Sequence, residues 1–200
     1  MARKKKLNNV ATAEEISATT QKQTLSYQGN ICIKTLRGNK VISTKNLKNA
    51  GLPDLFKFLS YALAGKFYPD MQPCKIKLYN FTNTEDVTPT IFANNLNSET
   101  LVQPFLKEAS PYVVYDATPA VEKTSSNTYT TTFRFKVPSY WLFSDKYNLI
   151  YLCTDSGVQC AYYLFTNNDG TWNTQTISAE HGTGNFSLII EWTLEIANKL

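Results

Sequence analysis

Histidine is almost missing from this chain: His181 is the only one in 200 residues. Nucleophilic catalysis by a Ser/His/Asp or Cys/His set would have to use it as the base. It stands in "EHGTGNF", and no G-x-S-x-G nucleophile motif accompanies it. "HGTGN" lacks the Lys-Ser/Thr ending of a phosphate-cradling loop and leads toward a strand, so it reads as a turn. Cysteine is sparse too. Cys32, Cys74, Cys153 and Cys160 form no C-x-x-C pair, and with one histidine the usual zinc arrangements are not available. A two-residue turn at Asp155-Ser156 would set Cys153 opposite Val158 and leave Cys160 diagonal, a poor placement for a disulfide; free thiols are expected. "NNDG" has too few acids for a calcium loop. Glu191 and Glu195 fall on one strand face and read as solvated surface rather than as a catalytic carboxylate pair. No catalytic, cofactor-binding or metal-ligating residue is therefore assigned, and the chain is not expected to be an enzyme.

Long apolar runs are also missing. No window reaches the ~20 residues that span a bilayer. The leading "RKKK" is followed by "LNNVATAEEIS", which holds two glutamates where a secretory signal needs an apolar core. The expectation is a soluble protein made in a cytoplasm, with no membrane partner.

What is present favours strands. Hydrophobic residues make up 42% and aromatics 13%, enough for a packed core. The 24 Thr and 18 Asn suit strands joined by turns better than helices. Positive charge is concentrated at the front. Residues 1–50 carry ten Lys/Arg against two acids, whereas residues 101–200 carry six against nine. Half of the front's excess is Arg3, Lys4, Lys5 and Lys6. Residues 1–24 read as a basic arm, either solvated or able to hold nucleic acid or an acidic protein surface weakly by charge.

The remainder, 25–200, reads as one domain. "ICIKTLRGNKVIS" alternates about a Gly38-Asn39 turn and predicts a β-hairpin. "LPDLFKFLSYALAG" has Pro53 at a first helical position, Gly65 at its end, and Leu55, Phe56, Leu59, Ala62 and Leu63 on one face. It predicts a short apolar helix, about 53–64, packed on the β-structure. "CKIKLYNF" is a strand, and residues 82–100 read as a long polar loop able to serve as a contact arm. Downstream come "YVVYDA", "TYTTTFRFKV", "YNLIYLCT", "VQCAYYLFT" and "TWNTQTIS", with turns at "DSG" and "NNDG". In "FSLIIEWTLEIAN", Phe186, Leu188, Ile190, Trp192, Leu194 and Ile196 keep a strict period of two, so a one-residue slip would bury both glutamates. Strands at this spacing predict a mainly β protein, an antiparallel β-sandwich or jelly-roll-like domain.

Trp141, Trp172 and the pair Tyr162-Tyr163 lie near turns or alternate across strands. Such rings pack a core, anchor a protein interface or stack on sugars. The segment from "YQGNICIKTLRGN" through "LPDLFKFLSYALAGKF" and "CKIKLYN" to "SLIIEWTLEIAN" resembles virion structural proteins of tailed bacteriophages, the neck, ring or capsid-associated proteins of crAss-like phages. The resemblance implies a non-enzymatic virion component that contacts other virion proteins and copies of itself. The residues themselves offer Arg3, Lys4, Lys5 and Lys6 of the arm, the loop 82–100, and the aromatics Trp141 and Trp172 as contact residues. The alternative from the aromatics is a carbohydrate- or receptor-binding module using Trp141, Trp172 and Tyr162.

Overall fold

The computed structural model describes residues 24–51, 64–66, 72–176 and 186–199. The predicted basic arm, most of the predicted helix and His181 lie outside the described residues.

Among the described residues twelve strands follow one another: β1 (Thr24–Arg37), β2 (Lys40–Gly51), β3 (Pro73–Phe81), β4 (Leu106–Glu108), β5 (Val113–Val114), β6 (Ala120–Ser125), β7 (Thr128–Pro138), β8 (Lys146–Tyr147), β9 (Leu149–Thr154), β10 (Gln159–Leu164), β11 (Gln175–Thr176) and β12 (Phe186–Lys199). One helical turn, α1 (Pro89–Asn94), lies between β3 and β4. The protein is mainly β and antiparallel, with the sandwich-like build its alternation predicts. Ten strands form one hydrogen-bonded path, β4-β3-β9-β10-β2-β1-β12-β7-β6, with β5 also on β3.

This path doubles back on itself. β2 lies along β1 from Lys40 to Asn49 and meets β10 only through Ala50 and Gly51. That narrow joint lets the two halves of the sheet face each other. The opposite side is also tied: Tyr115 bridges Phe135, Asp116 N–H donates to Arg134 O at 2.9 Å, and the Arg134 guanidinium pairs with the Asp116 carboxylate.

The space between the halves holds the main core. It takes Ile31 and Ile33 from β1, Phe133, Phe135 and Val137 from β7, and the alternate residues Phe186 to Leu194 of β12. Ile76 and Leu78 of β3 with Ile150 and Leu152 of β9 face them. Glu191 and Glu195 stay on the other face of β12, and Glu191 pairs with Lys34 at 2.7 Å. The period of two thus sets the register, as expected. It runs out toward Ile196, paired with Tyr129, where the strands pass beyond the core and Tyr129 is exposed.

A second core lies on the outer face of β9. Every residue of this strand is buried: Ile150 and Leu152 point one way, Leu149, Tyr151 and Cys153 the other. Phe81, Val87, Phe92 and Val102 close over that outer side, with Phe105 and Trp172 at its margin. The segment 82–100, expected as a long polar loop, contains α1 and buries Val87 and Phe92 in this core, so it serves as a folded cover. Thr88 caps α1 by accepting from Ile91 N–H at 3.3 Å, Pro89 occupies the first turn, and Phe92 drops between Phe81 (centroids 4.9 Å apart) and Trp172 (5.3 Å). The apolar residues Val87, Ile91 and Phe92 are too few and too unevenly spaced to carry a period that reads as an element.

The β9–β10 turn departs from expectation as well. Thr154 N–H donates to Val158 O at 2.8 Å, and Gly157 takes the left-handed conformation at φ 87°. This makes a three-residue loop, Asp155–Gly157, rather than a two-residue one. Cys153 therefore pairs with Gln159 instead of Val158, and Cys160 sits in a bulge. None of the four cysteines forms a disulfide. The Gly38 turn joins β1 to β2 as predicted, at φ 59°.

Candidate interaction surface

β7 ends at Pro138, whose fixed φ of −64° starts a 3-10 turn over Ser139–Trp141. Ser139 and Leu142 point inward and are buried, Leu142 within the main core. Leu142 N–H donates to Ser139 O at 3.1 Å, and Phe143 N–H donates to Ala109 O at 2.8 Å. Ser144 Oγ accepts from Lys146 N–H at 3.1 Å and closes the loop. The buried residues oblige their neighbours to point outward. Tyr140 is 66% exposed, Trp141 37% and Phe143 62%. Tyr140 and Trp141 meet edge to face with centroids 6.1 Å apart. Three large rings within four residues thus stand in water on a hydrogen-bonded tip, the arrangement that anchors protein interfaces at small entropic cost.

Of the contact residues read from sequence, Trp141 is on this tip. Arg3, Lys4, Lys5 and Lys6 lie outside the described residues. Trp172 belongs elsewhere: its ring packs on Phe81 and Phe92, and its indole N–H donates to Val87 O at 2.7 Å. It fastens the second core, and Tyr162 leans on Tyr151 of the same core. Tyr140 and Phe143 were missed individually because a turn has no alternation from which to read inside and outside.

Among the described residues β6 is an edge strand, and it is less suited to self-pairing. All six of its residues are exposed, with Glu122 and Lys123 at the centre. Antiparallel pairing with a second copy about a two-fold axis there would set Glu122 against Glu122 or Lys123 against Lys123. Like charges opposite one another destabilise such a pair, a common protection of sheet edges.

Other charged groups are committed inside the chain. Lys77 is nearly buried, pairs with Glu108, and holds its ammonium 4.5 Å from the Tyr112 ring centre. Lys75 pairs with Asp155 at 2.6 Å. These contacts tie β3 to the segment before β5 and to the β9–β10 turn. Burial pushes the Cys153 thiol up to about 12, with the neighbouring Cys160 adding to the rise, so it is held protonated. Burial likewise raises Cys74 and Cys32. Among the described residues no three His, Cys, Asp or Glu side chains are grouped to hold a metal, and no helix is long and apolar enough to cross a bilayer.

Compared with protein-family models, curated proteins and solved structures, the chain matches none.

Proposed function

We propose that this protein is a non-enzymatic structural component that builds into a larger assembly by docking the Tyr140–Trp141–Phe143 tip against another protein subunit. The observation that carries this reading is the tip itself: three exposed rings held by the buried Leu142 and two backbone hydrogen bonds. A rigid aromatic cluster loses little freedom on binding and offers the residue types that dominate interface energetics. The likeness of its segments to virion proteins of tailed bacteriophages supports reading that assembly as a phage particle, with this protein at the neck, ring or capsid surface.

The test is sedimentation and cross-linking of the full chain, alone and mixed with the other structural proteins of its particle. Replacing Trp141 by Ala is expected to weaken assembly by about thirty-fold or more, the loss of one interface anchor worth ~2 kcal/mol. Tyr140→Ala is expected to act in the same direction. Assembly that is unchanged in the Tyr140→Ala/Trp141→Ala/Phe143→Ser triple variant, with the fold intact by circular dichroism, would refute it.

A further inference from the structure

The cover over the second core and the β9–β10 turn leave a hollow between them, lined by none of the residues of the aromatic tip. Its volume is about 930 Å³, within the range of small-ligand sites. One wall is the end of α1 and the corner after it, Ala93–Ser98; the other runs from Gly157 to Gln159, with Tyr162. We infer that this hollow binds a neutral oligosaccharide, independently of the assembly reading.

The argument begins with what lines it. Every polar side chain there is uncharged: three asparagines, one glutamine, one serine and one tyrosine. An amide offers a donor and an acceptor side by side, which matches the hydroxyls of a sugar, each both donor and acceptor. Asn94, Asn97 and Gln159 make no side-chain hydrogen bond among the described residues and are available to such a ligand. Leu96, Val158 and the Tyr162 ring supply apolar surface for the C–H face of a pyranose. With no lysine or arginine in the lining, anionic ligands such as phosphates gain nothing there. A lipid would leave the amides unpaired.

Both walls are set in advance. Ser98 O accepts from Val102 N–H and Gln103 N–H at 3.1 and 3.0 Å, and the Gln103 amide donates to Leu96 O at 2.8 Å. The buried Phe92 and Val102 hold this corner from below. Across the hollow, Thr154 Oγ1 accepts from Val158 N–H at 3.1 Å, and Tyr162 is positioned by Tyr151 at 6.3 Å between centroids. Ligand binding therefore orders few new groups, which is where weak sugar contacts ordinarily lose their affinity. Of the residues from which a sugar-binding alternative was read, Trp141, Trp172 and Tyr162, only Tyr162 lines this hollow, because Trp172 is spent on the second core and Trp141 stands on the aromatic tip.

The experiment uses the full chain with maltohexaose, cellohexaose and chitohexaose as probes, followed by saturation-transfer NMR and calorimetry. Binding of at least one probe is expected. Asn97→Ala and Gln159→Ala, both surface changes that leave the cores untouched, are each expected to weaken it about tenfold. Glu122→Gln on β6 is expected to leave it unchanged. Silence toward all three probes overturns the inference, as does binding that survives the Asn97→Ala/Gln159→Ala double variant.

Discussion

Two neighbouring residues of α1 make the sharpest test of the second core. Phe92 is fully buried and Ile91 is 40% exposed, although a sequence reader would rank both as apolar residues of one polar loop. Phe92→Ala removes a ring that touches both Phe81 and Trp172 and leaves a cavity beneath a single helical turn. Such truncations cost ~3–5 kcal/mol when the surroundings cannot collapse. A one-turn helix can partly settle, so the lower end, about 3 kcal/mol, is expected here. For a chain of this size that corresponds to a fall in Tm of about 10 °C. Ile91→Ala should stay within about 0.5 kcal/mol, as surface changes do. Urea unfolding followed by tryptophan fluorescence measures both, and Trp172 adds a local signal because its emission should shift to the red once Phe92 is gone. Amide exchange should rise first in residues 88–105. A Phe92→Ala cost under 1 kcal/mol, or an equal cost for Ile91→Ala, would show that this segment does not close a core.

Two further outcomes follow from buried polar groups. The Tyr151 hydroxyl is buried without a hydrogen-bond partner among the described residues, so Tyr151→Phe should stabilise the protein by about 1 kcal/mol in urea melts; a loss of stability would mean that the hydroxyl is bonded. Cys153 titrates near its ordinary value of 9.0 when unfolded and near 12 when folded, so between these the native state holds the extra proton and stability must fall as pH rises. Melts taken from pH 8 to 11 should show this decline, and Cys153→Ala should flatten it; an unchanged slope in that variant would remove Cys153 as a cause.

The long strands and the hairpin at Gly38 could be read directly because they obey a local rule. Period two in Phe186–Leu194 and in Phe133–Val137 states which side is buried, and tertiary contacts only supply the partner. β9 follows another rule: its unbroken apolar run "LIYLCT" marks burial on both faces, but nothing local says what covers the second one. The aromatic tip was half legible. Trp141 stands out by residue type, while Tyr140 and Phe143 point outward only because Ser139 and Leu142 are drawn inward by the core.

Chain order and alternation alone thus determined that this protein is an antiparallel β-structure, where its long strands run, and which residues the middle of β7 and most of β12 bury. Whether a polar stretch such as 82–100 became a cover, and whether Trp172 faced water or a core, was decided only in three dimensions. The physical reason is separation along the chain. Phe81, Phe92 and Trp172 are far apart in sequence and share no period, so their common burial exists only once β3, α1 and the turn before β11 have been brought together.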